Sequence, residues 1–225
     1  MLLTLSGVLS ADQLAEARRL AKGLAWRDGA DTAGPVARSV KRNQQADLTT
    51  RSGAKLRDLL TAAVQSHPVL IAAAQPKRFS PILVSKTGPG GGYGMHIDNP
   101  WMGSGEARLR TDLSFTLFLS DPADYDGGAL EIENAGFTQS LKPGAGDLVL
   151  YPTTRLHQVA DVTRGERLVC VGWIESLVPD EAAREILFDL ENLRATLAPA
   201  HAPQSLEMLT LTKTIANLLR RFSSR

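Results

Sequence analysis

Between Phe79 and Ile174 the chain alternates short apolar runs with turns that are rich in glycine and proline. In the clearest run, Leu113–Ser120, large apolar residues alternate with serine and threonine, which predicts a β-strand with one buried face. Further strands are predicted at Phe79–Lys86, Ala129–Glu133, Leu148–Tyr151, Arg155–Val159 and Arg167–Ile174. Many short strands separated by such turns favour a closed sandwich or barrel.

Helical patterns flank the strand-rich region on both sides. Apolar residues at helical spacing predict helices after the capping box Ser10–Gln13, from Lys55 to near Pro68, from Pro179 to Leu193, and around Leu209–Phe222. Residues 28–48 are polar and predict a loop or an irregular edge strand. His67 precedes Pro68, and we interpret it as a helix-end residue and not as a metal ligand.

Three residues of the strand-rich region suit a metal site. His96 and Asp98 are two apart, so on a strand both side chains point to one face. His157, in the Arg155–Val159 run, can supply a third ligand. Two histidines and a carboxylate on one face of an ion are typical of non-haem Fe(II) oxygenases. From spacing alone, a surface pair in a turn remains an alternative for His96 and Asp98, and a core or surface histidine remains one for His157.

Arg167 lies ten residues after His157, at the start of an apolar strand. A guanidinium at this place can form two parallel hydrogen bonds with the far carboxylate of an acid bound to the metal. The alternative is an ion pair at the strand end with Glu166 or Glu131.

Four blocks in the same order carry a family resemblance: Tyr93–Asn99, Asp112–Ser120, Asp124–Gly128 and Gly172–Ser176. With the His-x-Asp…His…Arg pattern, they resemble the bacterial PKHD-type hydroxylases, which are Fe(II)/2-oxoglutarate dioxygenases of the prolyl 4-hydroxylase type. The resemblance implies an α+β, mainly β fold with a double-stranded β-helix (jelly roll) core. On that basis residues 1–177 would form the jelly-roll domain with its N-terminal flanking helices, and residues 178–225 a C-terminal helical extension.

The resemblance also implies the roles of the site residues. His96, Asp98 and His157 would hold Fe(II), 2-oxoglutarate would chelate the metal, and Arg167 would bind its far carboxylate. Ascorbate would keep the iron reduced. Tyr93 would contact the co-substrate or the substrate if the strand bulges, and would otherwise serve packing. Thr87 stands where related enzymes often carry a tyrosine that bonds 2-oxoglutarate, and its hydroxyl reaches less far.

The expected activity is hydroxylation of an unidentified substrate, with decarboxylation of 2-oxoglutarate to succinate. The substrate would be a small molecule, a peptide or a protein side chain, and the association of relatives with iron uptake suggests a siderophore-related molecule. One alternative is a cupin-like metal-binding or iron-sensing protein without turnover. Another is a zinc hydrolase, although the motif offers no separate general base.

Composition narrows the partners and the compartment. Lys+Arg 25 against Asp+Glu 24 gives a net charge of +1, which favours neither nucleic acid nor an anionic membrane surface. The single cysteine, Cys170, cannot form an internal disulfide, and with no apolar run of transmembrane length we expect a cytoplasmic protein. The apolar stripes of the C-terminal helices suggest a homodimer. Trp101 and Met102 would line a substrate entrance or anchor a loop, and Trp173 would belong to the core.

Overall fold

The computed structural model describes residues 1–32 and 38–224. Its helices are α1 Ala11–Lys22, α2 Arg51–Ser66, α3 Pro68–Ala74, α4 Glu181–Leu197 and α5 Leu206–Phe222. Its strands are β1 Leu3–Leu5, β2 Trp26–Asp28, β3 Lys41–Arg42, β4 Gln44–Ala46, β5 Pro76–Phe79, β6 Leu83–Thr87, β7 Gly92–His96, β8 Trp101–Met102, β9 Leu109–Arg110, β10 Leu113–Phe118, β11 Tyr125–Gly127, β12 Leu130–Asn134, β13 Phe137–Leu141, β14 Leu148–Pro152, β15 His157–Val159, β16 Val162–Gly165 and β17 Arg167–Ser176. The α+β, mainly β class is confirmed.

Two antiparallel sheets form the β core. An eight-stranded sheet has the order β1-β14-β10-β17-β6-β4-β2, with β5 also paired to β17, and a five-stranded sheet has the order β13-β12-β15-β7-β3. Strands that lie side by side in these sheets are mostly distant in sequence, which is the pattern of jelly-roll folds. β8 and β9 form a small separate ribbon, as do β11 and β16.

The N-terminal helices cover the outer face of the eight-stranded sheet. α1, α2 and α3 share one apolar core with the alternate residues of β10, β14 and β17 that face them, among them Phe115, Leu117 and Cys170. The predicted capping box is present, because Gln13 N donates to Ser10 Oγ at 3.2 Å and Ser10 N to Gln13 Oε1 at 2.9 Å. This layer leaves the other face of the sheet to enclose a cavity.

The C-terminal helices form their own small core. Val178, Ala183, Leu187 and Ile215 are buried between α4 and α5. α4 also contacts α3, so the pair is attached to the helical layer outside the β core. The division of the chain at residue 177 stays a prediction. No helix in the described ranges is long and apolar enough to cross a membrane.

Three local predictions need correction, and one of two alternatives is settled. The run Phe79–Lys86 is broken at Ser80, where the chain exchanges hydrogen bonds with Trp173 and turns from β5 into β6. The predicted turn Thr163–Glu166 is mostly strand β16. For residues 28–48 the edge-strand alternative is confirmed: their described part contains a 3₁₀ turn and two short strands, of which β3 lies at the edge of the five-stranded sheet. Finally, β10 is buried on both faces, because helices cover one face and the second sheet the other.

Candidate active site

A cavity lies between the two sheets, and strand alternation explains its walls. Every second residue of β17 faces it, as does every second residue of β6. The β17 residues are Arg167, Val169, Val171 and Trp173, and the β6 residues are Leu83, Ser85 and Thr87. The five-stranded sheet contributes the opposite wall, with Leu130, His157 and Val159. All six predicted site residues line this cavity.

His96, Asp98 and His157 converge at one point of the wall. Their ligand atoms all lie within 4.8 Å of one another, and His157 Nε2 is 3.8 Å from Asp98 Oδ2. β7 and β15 pair directly at His96 and His157, which brings together residues that are far apart in the sequence. Two imidazoles and one carboxylate on one side of a point fit a divalent iron with open coordination positions.

Backbone carbonyls orient both imidazoles for metal binding. His96 Nδ1 lies 2.8 Å from Gly94 O, and His157 Nδ1 lies 3.0 Å from Arg155 O. A carbonyl only accepts, so each Nδ1 carries the proton and each Nε2 keeps its lone pair for the metal. Burial and the neighbouring His157 lower the pKa of His96 to about 4. This histidine is therefore neutral at pH 7, as a metal ligand must be.

Ser114 and Tyr151 support the triad from the eight-stranded sheet. Ser114 Oγ donates to Asp98 Oδ2 at 2.5 Å, which holds the carboxylate in place. The Tyr151 ring lies edge-on to His157 at 5.1 Å between centroids, and burial raises the pKa of its hydroxyl. Tyr151 therefore stays protonated, and its hydroxyl lies at hydrogen-bonding distance from the hydroxyls of Thr116 and Ser114.

Tyr93 faces the cavity because the strand bulges. The register of β7 and β15 shifts between the pairs His157–His96 and Val159–Tyr93, so two residues of β7, Gly94 and Met95, oppose the single residue Gln158 of β15. The Tyr93 ring stacks on the His96 ring, with 3.6 Å between centroids. The bulge that the sequence analysis required is confirmed, although the role of Tyr93 towards a ligand stays a prediction.

Arg167 is a buried cation with unused donors. The residue is 3% exposed, and Nε and Nη2 have no hydrogen-bond partner within the described residues. Its guanidinium carbon lies 5.1 Å from the centre of the Phe118 ring, and burial lowers the pKa of Arg167. Neither Glu166 nor Glu131 pairs with it, since their partners are Lys86 and Gln158. Unpartnered buried donors are rare and indicate an anion-binding site.

Two hydroxyl side chains lie beside Arg167. Thr87 is buried and pairs with Arg167 across β6 and β17. Tyr125 is fully buried, and its hydroxyl lies close to the Arg167 guanidinium without a well-aligned hydrogen bond to it or to another described residue. Burial raises the pKa of Tyr125, while the Arg167 charge opposes that shift. These groups give the arginine end of the cavity the donors that a carboxylate needs.

Several wall residues escaped the sequence analysis. Lys41, Asn43 and Gln45 come from the polar segment that carried no motif, and Tyr151 looked like part of an ordinary apolar strand. The prediction that Trp173 belongs to the core is wrong, because Trp173 lines the cavity. Residues two apart share a face, so the series Arg167, Val169, Val171, Trp173 indicates that Trp173 lies on the same face as Arg167.

Three other predictions concern residues near the cavity or at a helix end. Met102 lines the cavity, whereas Trp101 is 46% exposed and lies under the Arg108 guanidinium. His67 caps α3, as predicted.

Known proteins with similar sequences show the family of this chain. Residues 82–175 match the family described as the 2OG-Fe(II) oxygenase superfamily. The chain is 54% identical over 222 residues to a PKHD-type hydroxylase of Hyphomonas neptunium, which covers 99% of both chains. It is 45% identical over 223 residues to one of Synechococcus elongatus, which covers 99% of this chain and 100% of the relative.

Solved structures share the fold. One is a prolyl hydroxylase from Trichoplax adhaerens, in complex with a peptide fragment of the hypoxia inducible factor oxygen degradation domain. It superposes with a TM-score of 0.59 at 17% sequence identity, and the match covers 77% of this chain and 83% of that chain. Another is a viral collagen prolyl hydroxylase from Paramecium bursaria Chlorella virus-1, in complex with 2OG. It superposes with a TM-score of 0.54 at 17% sequence identity, and the match covers 78% of this chain and 95% of that chain. These neighbours confirm the jelly-roll core. The full-length sequence matches show that the chain belongs to the PKHD-type hydroxylases, enzymes of the 2OG-Fe(II) oxygenase superfamily that use Fe(II) and 2-oxoglutarate.

Proposed function

We propose that His96, Asp98 and His157 hold the iron of this hydroxylase and that Arg167 binds the far carboxylate of 2-oxoglutarate. The observation that carries the proposal is the combination in one cavity of a three-ligand cluster and a buried guanidinium with unpartnered donors. A metal-sensing protein has no need of the guanidinium, and the relatives are named hydroxylases. Both points favour the enzyme over the sensor.

Each part of the chain has a task in this mechanism. The two histidines present Nε2 lone pairs, Ser114 orients the Asp98 carboxylate, and Arg167 neutralises the distal charge of the co-substrate. When bound, Fe(II) and 2-oxoglutarate supply the O2-dependent hydroxylation of a C–H bond, with succinate and CO2 as products. The two sheets exclude bulk water from the reaction. Ascorbate keeps the iron in the ferrous state.

Thr87 and Tyr125 assist Arg167 in this proposal. Both lie at the arginine end of the site, and Tyr125 is a donor without a partner among the described residues. Calorimetry of 2-oxoglutarate binding to Thr87→Val and Tyr125→Phe, under anaerobic conditions with Mn(II), tests the assignment. An affinity loss in Tyr125→Phe that exceeds the loss in Thr87→Val assigns the second anchor to the tyrosine, and the reverse order assigns it to the threonine.

For the substrate, we propose a siderophore-related molecule, with a peptide or a protein side chain as the other candidates. The basis is the resemblance to enzymes associated with bacterial iron uptake. Comparing the metabolites of a strain with and without the gene, grown with limiting and with ample iron, tests this directly. A hydroxylated siderophore-related product that needs the gene supports the proposal, and unchanged siderophore metabolites contradict it.

We further propose that the protein works in the cytoplasm as a homodimer. The compartment rests on the single Cys170, which is buried, and the dimer rests on exposed apolar residues of α4 and α5, including Ile186, Leu193 and Leu206. Cell fractionation tests the first point. Light scattering on the full chain and on Ile186→Glu tests the second: a dimer that becomes a monomer on substitution supports it, and a monomeric full chain refutes it.

A further inference from the structure

Gln45 places a buried carboxamide in the wall of the cavity. The residue is 6% exposed and lies on β4, where it pairs with Arg27 of β2 and with Ser85 of β6. Paired residues of neighbouring strands share a face, and Gln45 and Ser85 both line the cavity. The preceding residue, Gln44, is exposed, because successive residues of a strand point to opposite faces.

The Gln45 carboxamide has no hydrogen-bond partner within the described residues. Asn43, two residues earlier on the same face, differs in this respect, since Asn43 Nδ2 donates to Ser85 Oγ at 2.6 Å. Nearly all buried polar groups are paired, and a group that stays unpaired costs free energy. A buried amide that faces a cavity and makes no contact with the fold therefore indicates a ligand that pairs with it.

The chemistry of a carboxamide defines the group that it binds best. Its oxygen accepts and its nitrogen donates, and it carries no charge. A carboxylate would leave the Gln45 oxygen unpaired, and an ammonium would leave the nitrogen unpaired. A neutral amide whose N–H and C=O point to one side satisfies both atoms. A primary amide of a small molecule has this form, as does one residue of an extended peptide.

The cavity wall next to Gln45 is largely apolar. Leu83 lies two residues from Ser85 on β6, and it pairs with Val171 of β17. Both line the cavity, as does Trp173, two residues beyond Val171. Such a wall buries the apolar part of a ligand, while a few placed polar groups fix its orientation.

We infer that the substrate carries an amide group on an apolar body, and that Gln45 binds this amide through two hydrogen bonds. The inference rests on the proposed function, because it takes this cavity as the active site. It makes Gln45 a specificity-determining residue. It also narrows the candidate small molecules and peptides to those that present an amide to β4.

Paramagnetic relaxation of small probes tests the inference. The full chain is loaded with Mn(II) and 2-oxoglutarate, and both binding steps are first verified by calorimetry. Two matched pairs of probes are then titrated by NMR. Phenylacetamide is compared with phenylacetone, in which a methyl group replaces the amide nitrogen. N-acetyl-phenylalanine methylamide is compared with its analogue methylated at the phenylalanine nitrogen. Only probes near the Mn(II) relax fast, so binding at a distant surface does not contribute.

Three variants separate recognition from folding. Gln45→Met and Gln45→Leu remove the amide, and Gln44→Met is the matched control on the exposed face of the same strand. We expect the wild type and Gln44→Met to bind at least one amide at least about fivefold more tightly than its analogue. A preference within the first pair alone assigns a small-molecule amide, and a preference within the second pair alone assigns a peptide.

Both Gln45 variants should lose this preference, while their affinities for Mn(II) and 2-oxoglutarate change by less than about threefold. Without ligands, Gln45→Met should unfold at the wild-type temperature or at a higher one, because the substitution breaks no hydrogen bond within the described residues.

Three results overturn the inference while the proposed function stands. In the first, the loaded wild type shows no preference within either pair. In the second, Gln45→Met and Gln45→Leu keep the full preference. In the third, both variants unfold several degrees below the wild type and Gln44→Met, which assigns the carboxamide to the stability of the fold. A wild type that fails to bind Mn(II) or 2-oxoglutarate instead refutes the proposed function, and the inference with it.

Discussion

Replacing Arg167 by methionine should change the stability of the fold and the affinity for 2-oxoglutarate in opposite directions. Arg167 is 3% exposed, and two nitrogens of its guanidinium have no partner within the described residues. A buried charge without a partner destabilises the fold, so a neutral side chain of similar length removes that cost. We therefore expect ligand-free Arg167→Met to unfold at the same temperature as the wild type or at a higher one.

Binding of 2-oxoglutarate changes in the opposite direction. Removing one member of a desolvated, hydrogen-bonded charge pair costs about 2–5 kcal/mol. At about 1.4 kcal/mol per tenfold, the affinity falls by about 30-fold to several thousand-fold. Arg167→Lys recovers part of the loss, because it restores the charge without the two-pronged geometry.

Anaerobic calorimetry with Mn(II) measures the affinity, and thermal unfolding with and without 2-oxoglutarate measures the stability. Arg164→Met is the matched control, since Arg164 lies three residues earlier and pairs with Asp126 on the surface. Two results together would refute the assignment of Arg167 as the anchor of 2-oxoglutarate. The affinity of Arg167→Met for 2-oxoglutarate would fall by less than about threefold, and 2-oxoglutarate would raise its unfolding temperature as much as in the wild type.

Three further predictions concern the ligands and the fold. His96→Ala, Asp98→Ala and His157→Ala should each lose Fe(II) binding in calorimetry while keeping the wild-type circular dichroism, and a variant with unchanged affinity would remove its residue from the ligand set. Ser114→Ala, which loses the 2.5 Å hydrogen bond to Asp98, should weaken metal binding by about 10- to 100-fold; an unchanged affinity would mean that the carboxylate needs no such support. Burial raises the pKa of Glu175, but its ion pair with Arg78 outweighs this and holds the pKa below the usual 4.5. The ionised form therefore stabilises the fold above pH 4.5, and this contribution disappears as the pH falls below 4.5. Denaturant unfolding of Glu175→Gln should show a loss of roughly 1.5–3 kcal/mol at pH 7 that fades under acid, and a loss independent of pH would contradict this.

The sequence was enough to predict that His96, Asp98 and His157 form a cluster, because much of the information is local. Residues two apart in an extended chain share one face, which places Asp98 beside His96, although β7 ends at His96 and Asp98 lies just beyond that strand. Arg167 was predictable for a similar reason, as a lone cation at the head of an apolar strand. The structure adds that both groups share one cavity, which depends on β7 pairing with β15 and on β17 lying in the opposite sheet.

The missed residues depend on contacts between distant segments. Lys41 reaches the site because β3 pairs with β7, and no local pattern in residues 28–48 indicates that pairing. The alternation in Leu113–Ser120 predicts one buried and one solvated face. Its polar face instead lines the site, where Ser114 bonds Asp98 and Thr116 faces the cavity. Alternation shows that two faces differ, and it does not distinguish solvent from an enclosed polar site.

An anaerobic titration of the full chain with Fe(II) and 2-oxoglutarate tests the central claim most directly. The account predicts the visible charge-transfer band of an iron chelate with 2-oxoglutarate, and the formation of succinate when O2 is admitted. Both signals should be absent in His157→Ala and present in Arg164→Met. A wild-type chain that binds Fe(II) but gives neither the band nor succinate at saturating 2-oxoglutarate would contradict the assignment of this cavity as the active site.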